Sequence, residues 1–108
     1  MKIEVLGVKY NLILNAIQED YPILKEADGA TDTSIKRILI AKMEKNFRTL
    51  EDLRYYQNKV LRHELIHAFL YESGLSVNSE WASNEEIVDW IAIQFPKLFE
   101  IFSKNNIL

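Results

Sequence analysis

Cysteine is absent from the 108-residue chain, which excludes disulfides, thiolate nucleophiles and any metal site built on sulfur. Glycine (3) and proline (2) are scarce, and 48% of the residues are hydrophobic against 27% charged, so the composition is neither collagenous, low-complexity nor disordered. No segment approaches the roughly 18 consecutive apolar residues of a membrane span. The N-terminal stretch MKIEVLGVKYNLI, interrupted by Lys2, Glu4 and Lys9, never builds the apolar core of a signal peptide. An excess of positive charge is missing too: 13 basic against 16 acidic side chains leave −3, which argues against nucleic acid or an anionic membrane as the main partner. What remains is one compact domain over residues 1–108, burying about 60 to 70% of its unfolded surface, and its expected setting is the cytoplasm. Histidine is scarce as well, with His63 and His67 the only two.

Ile3 and Val5 alternate with Lys2 and Glu4 before Gly7, and Tyr10, Leu12 and Leu14 resume the alternation, which predicts two short strands or one strand bent at Gly7. The segment from Ala16 to Lys25 is ambiguous around Pro22. Ala27 to Ser34, with its Asp28-Gly29 dipeptide, is loop chemistry, and its acidic spacing does not fit a calcium loop. Isoleucine-rich Ile35 to Ala41 predicts a strand, the longest one. From about Leu50 the period becomes helical: Leu53, Leu61, Leu65 and Ala68 fall within roughly 60° either side of Leu50, and Gly74 supplies the stop, so one helix is expected from about Leu50 to Ser73. Ser83 and Glu86 have capping-box spacing ahead of a second helix, which should reach about Phe95 before Pro96 ends or kinks it. Leu98, Phe99, Ile101 and Phe102 then suggest a short amphipathic helix packed on the core.

Both histidines belong to one pentapeptide, His63-Glu64-Leu65-Ile66-His67, inside the first helix. Four residues advance a helix by about 400° and 6 Å, so the two imidazoles project from one face on successive turns and can grip one ion. Glu64 is turned about 100° from His63, which sets it beside such an ion, able to take a proton from a water there without being a ligand. The neighbouring Leu61, Leu65, Ile66, Ala68, Phe69 and Leu70 make this stretch look buried around most of its circumference, where two imidazoles and a carboxylate are costly unless paired or metal-bound. With no cysteine and no third histidine, the third protein ligand must be an oxygen, most naturally a carboxylate. Glu85 and Asp89 lie four apart on one face of the second helix, so Glu85 can complete the shell while Asp89 accepts the free ring N–H of a ligand histidine. Glu86, on a neighbouring face, is the second choice and Glu80 the third.

HELIH followed downstream by NEEIVD resembles the gluzincin branch of zinc metallopeptidases, whose pattern is His-Glu-x-x-His and then Asn-Glu-x-x-x-Asp. The resemblance to the thermolysin-type arrangement implies His63, His67 and Glu85 as ligands of one zinc ion, Glu64 as general base and Asp89 as the residue orienting a histidine. The wording HELIHAFLYESGL with NEEIVDWIAIQFP is also similar to small phage or prophage proteins of the ImmA/IrrE-like kind, which implies a phage-infected or lysogenic bacterial host. It covers about Leu50 to Pro96 and says little about the first 34 residues. The fold class it implies is α+β, a minimal zincin-like fold: a small, mostly antiparallel β-sheet packed on an active-site helix (about 50–73), a third-ligand helix (about 84–95) and a short C-terminal helix. It further implies that the strand from Ile35 to Ala41 offers an edge to an extended peptide.

The chain departs from the thermolysin-type pattern in one respect. Those enzymes use a further histidine to stabilise the tetrahedral intermediate, and both histidines here are already taken. A tyrosine could substitute, with Tyr71, one turn beyond His67, the nearest by helix geometry and Tyr55, Tyr56 and Tyr10 behind it. Two functions are compatible with these residues. The first is zinc-dependent peptide hydrolysis of a peptide or protein substrate. The second is a zinc-stabilised protein-binding module with weak or no catalysis; retention of Glu64 favours the first. A protein regulator or a homo-oligomer are the further partners expected, with Trp81, Trp90, Phe99 and Phe102 as contact points.

Overall fold

A computed structural model describes residues 1–44 and 52–108. It is an α+β structure in which a four-stranded mixed sheet packs against two helices. Strand β1 (Lys2–Val5) and strand β2 (Val8–Ala16) form a hairpin through a two-residue turn at Leu6 and Gly7. β3 (Gly29–Asp32) and β4 (Arg37–Ala41) form a second antiparallel pair, and β4 lies parallel to β2, so the sheet order is β1-β2-β4-β3. Tyr10, Leu12, Ile38 and Ile40 project from one face of the sheet onto Val60 and Ala68 of helix α1 (Leu53–Glu72), and these residues are the main core. Leu39 and Ala16 on the opposite face are covered by Leu24, from a short 3₁₀ turn at Pro22–Lys25.

Three strand expectations need correction. The longest strand is β2, nine residues running unbroken to Ala16, not the isoleucine-rich segment, of which Ile35 and Lys36 belong to the turn leading out of β3 and only Arg37 to Ala41 form β4. The stretch from Ala27 to Ser34 is not all loop: Gly29 to Asp32 pairs with β4 from Gly29↔Ile40 to Asp32↔Arg37, and only its end behaves as turn chemistry predicts, with the Asp32 carboxylate accepting from the Ser34 backbone N–H at 3.0 Å. Cross-strand pairing and packing override the local preference there. The edge strand on this side of the sheet is consequently β3, and β4 is interior.

Helix α1 starts at an Asp52 cap, whose carboxylate accepts from the Tyr55 N–H at 2.9 Å. It ends where Gly74, at φ 83°, lets the Leu75 N–H return to the Leu70 carbonyl at 3.1 Å. The Leu50 end of the expected helix lies outside the described residues. Helix α2 (Glu85–Lys104) is capped by Asn84, whose side chain accepts from the Ile87 N–H at 3.0 Å. The expected Ser83–Glu86 capping box is therefore not what starts it; Ser83 ends a 3₁₀ turn at Glu80–Ser83. No helix among the described residues is long and apolar enough to cross a membrane.

The expected boundary at Pro96 and the separate short C-terminal helix are also corrected, since α2 runs on through Pro96 to Lys104. Proline has no N–H, which leaves the carbonyl four residues back, that of Ala92, without its helical donor. The Arg62 guanidinium of α1 supplies the donor instead, with Nε 2.7 Å from the Ala92 oxygen. Replacing Arg62 by Met should cost about 1–3 kcal/mol by orphaning that carbonyl. In a Pro96→Ala background the backbone N–H regained at that position can reach the Ala92 carbonyl, so the same replacement should cost much less. Thermal unfolding of the four proteins in this cycle measures the coupling, and equal costs in both backgrounds would refute the compensation.

Candidate metal centre

Helix periodicity sets His63 and His67 on one face of α1, and the antiparallel packing of α2 brings Glu85 and Asp89 opposite them. The His63 Nε2 lies 2.8 Å from Glu85 Oε2 and 3.1 Å from His67 Nε2, and His67 Nε2 lies 3.2 Å from the same Glu85 oxygen. One donor atom from each of the three residues thus converges within 4.8 Å. Two ligands at 2.0–2.1 Å from a tetrahedral zinc ion stand about 3.3 Å apart, close to these spacings.

Protonation chemistry sharpens the fit. Asp89 Oδ1 is 3.0 Å from His63 Nδ1 and accepts its N–H, which leaves a lone pair on Nε2. That lone pair faces the Glu85 carboxylate, a second acceptor, and the ring nitrogen of His67. A proton in this cluster can bridge a single pair of donors, whereas a divalent cation satisfies all three. The donor set, two imidazoles and one carboxylate, is of the kind that would hold zinc. Burial works to raise the Glu85 carboxyl, yet hydrogen bonding and charge from His63 and His67 outweigh it and hold the group below the ordinary range. Asp89 is likewise held low, since hydrogen bonds from Lys59, whose Nζ is 3.0 Å away, and from His63 outweigh its partial burial.

Glu64 occupies a different environment. It sits in the most buried row of α1, between Val60 and Ala68, and is only 7% exposed. Burial pushes its carboxyl up, partly opposed by the Thr31 hydroxyl. Thr31 Oγ1, on edge strand β3, is 2.8 Å from Glu64 Oε1 and 3.0 Å from the Glu64 carbonyl oxygen, so its single hydrogen is shared between them. Two positions earlier Gly29 leaves no room for a side chain: a Cβ there would stand 2.9 Å from Glu64 Cγ and 3.1 Å from Oε2. β3 therefore grips the carboxylate from both ends.

These groups open into a cleft of about 710 Å³ walled by β3, by α1 and by the segment leading to α2. Of the four tyrosines considered from sequence, Tyr71 and Tyr56 line it. The Lys36 ammonium stands 4.9 Å from the centre of the Tyr71 ring. Tyr56 donates to Asp28, and that bond, with burial second, pushes its hydroxyl up to about 12. Tyr10 is instead fully buried, bonded to Glu72 at 2.5 Å, and Tyr55 is exposed outside the cleft. Glu86 is exposed, and neither it nor Glu80 joins the converging donors or lines the cleft. Phe69, expected within a mostly buried helix circumference, is half exposed.

Sequence reading missed Thr31, Gly29 and Lys59. Lys59 was accessible to it, four residues before His63 and hence on the same helical face. Thr31 and Gly29 had no local signal, because their relation to Glu64 spans over thirty residues. Compared with family models, curated proteins and solved structures, the chain matches none.

Proposed function

We propose that the chain is a small zinc-dependent peptidase of the gluzincin kind on a reduced zincin-like fold. His63, His67 and Glu85 would hold one zinc ion, with Asp89 orienting His63. The observation that carries this reading is the convergence of three lone-pair donors across two helices, with the carboxylate of Glu64 adjoining them in the same cleft. Bound there, zinc supplies a Lewis acid that polarises a peptide carbonyl and acidifies water. Glu64 takes the proton released by the attacking water and hands it to the leaving amine. Its burial suits this exchange, since a raised proton affinity lets the group hold a proton between the two transfers. Tyr71 is the candidate donor to the oxyanion.

The substrate is an extended peptide. β3 is an edge strand of the sheet and lines the cleft beside Glu64, so a strand added there would draw affinity from backbone hydrogen bonds while a carbonyl came to face the metal position. This role falls to β3 rather than to the interior β4. No nucleic acid or membrane takes part, and the setting is the cytoplasm of a bacterial host carrying a phage or prophage.

Elemental analysis of the purified protein should find one zinc per chain. Chelation should abolish cleavage of a denatured protein or peptide library, and added zinc should restore it. One bound zinc with no cleavage of any substrate would replace the peptidase by a binding module whose two helices are pinned by the metal. Absence of zinc binding would overturn both.

A further inference from the structure

We infer that the outer face of α2 is a homodimer interface, on which a second copy of the chain packs helix to helix in antiparallel orientation. At 100° per residue, Ile87, Ile91, Leu98 and Phe102 fall within about 60° of one another, with Trp90 and Ile101 on one flank and Phe95 on the other. This row is distinct from the one that meets α1, which runs through the buried Val88 and Ala92. In the single chain the row is partly open, with Ile87 41%, Leu98 40% and Phe102 38% accessible and Ile91 half-buried, and its flanks are more open, with Trp90 57%, Phe95 53% and Ile101 54% accessible. The radius of gyration, 14.8 Å, exceeds the roughly 13 Å of a compact domain this size, as expected when the second half of α2 extends past its neighbours.

Area and the symmetry of the row identify the occupant. With large apolar side chains of about 150–250 Å² roughly half exposed, the row presents on the order of 600 Å². Two copies together would bury about 1,200 Å², the lower end of stable specific interfaces. The pattern is self-complementary about a two-fold axis between Gln94 and Phe95, which sets Ile87 against Phe102 of the second copy and Ile91 against Leu98. Antiparallel pairing opposes the helix dipoles, whereas parallel pairing aligns them. Glu85 and Asp89 point about 130° or more away from the row, so the second copy leaves the cleft open.

Sedimentation of the 108-residue chain at about 100 µM should give twice the 12.7 kDa chain mass. Leu98→Glu with Phe102→Glu should return it to the monomer with unchanged helical circular dichroism. Because the chain has no cysteine, Gln94→Cys provides a unique thiol beside the axis, which a short bis-maleimide should crosslink. Ile87→Cys should not crosslink, its two copies being on the order of 22 Å apart. A monomer at about 100 µM would mean that a different protein covers the face. That result, a dimer that survives Leu98→Glu with Phe102→Glu, or crosslinking through position 87 would overturn the inference.

Discussion

Glu64→Gln should lower peptide hydrolysis by roughly 10²- to 10⁴-fold, the usual worth of a general base, while the protein keeps one equivalent of zinc. The amide is nearly isosteric, and its oxygen can still accept from Thr31, so the grip of β3 on this side chain survives. Burial disfavours the native carboxylate, and a neutral amide removes that penalty. The variant should therefore melt no lower than the wild type, which separates lost chemistry from lost structure. Rates of a fluorogenic peptide, read beside metal content and melting temperature, make the measurement. Hydrolysis within a few-fold of wild type would remove Glu64 from the role of proton acceptor.

Glu85→Ala should act on the metal itself. Structural zinc bound by four ligands is worth about 10–16 kcal/mol, or roughly 2.5–4 kcal/mol per ligand, so deleting one should weaken affinity by about 10²- to 10³-fold. Competition against a chromophoric chelator reads this directly. Asp89→Asn, which weakens the hold on the His63 ring without removing a donor, should cost about 10- to 100-fold. Glu86→Ala should cost nothing, because that side chain faces solvent away from the donors. Unchanged affinity in Glu85→Ala would overturn the ligand assignment, and a loss in Glu86→Ala would transfer it to that neighbour.

The break between two strands at Gly7, the end of the first helix at Gly74 and the start of the second near residue 84 could be seen in the sequence because each depends on contacts a few residues apart. Failures came where a distant residue intervened. Pro96 is a sound local signal for a boundary, and α2 passes it because Arg62, thirty-four positions earlier, takes over the missing donor's task. Asp28-Gly29 is an equally sound turn signal, but the position is needed for close approach: only glycine lets β3 lie against Glu64. Capping moved by one residue, from Ser83 to Asn84, a shift within the reach of either polar side chain.

The candidate centre divides along the same line. Four-residue spacing on a helix is a property of the chain itself, so the shared face of His63 and His67, and that of Glu85 and Asp89, followed from sequence alone. Their meeting did not, since it depends on α2 packing antiparallel against α1 in one register, where Lys59 reaches Asp89 and Glu85 comes within 2.8 Å of His63. Only the tertiary structure selected β3 as the edge beside the cleft and Thr31 as the partner of Glu64. Backbone periodicity operates within a turn or two of helix, whereas strand order and the surroundings of a buried carboxylate are decided by burial among residues far apart in the chain.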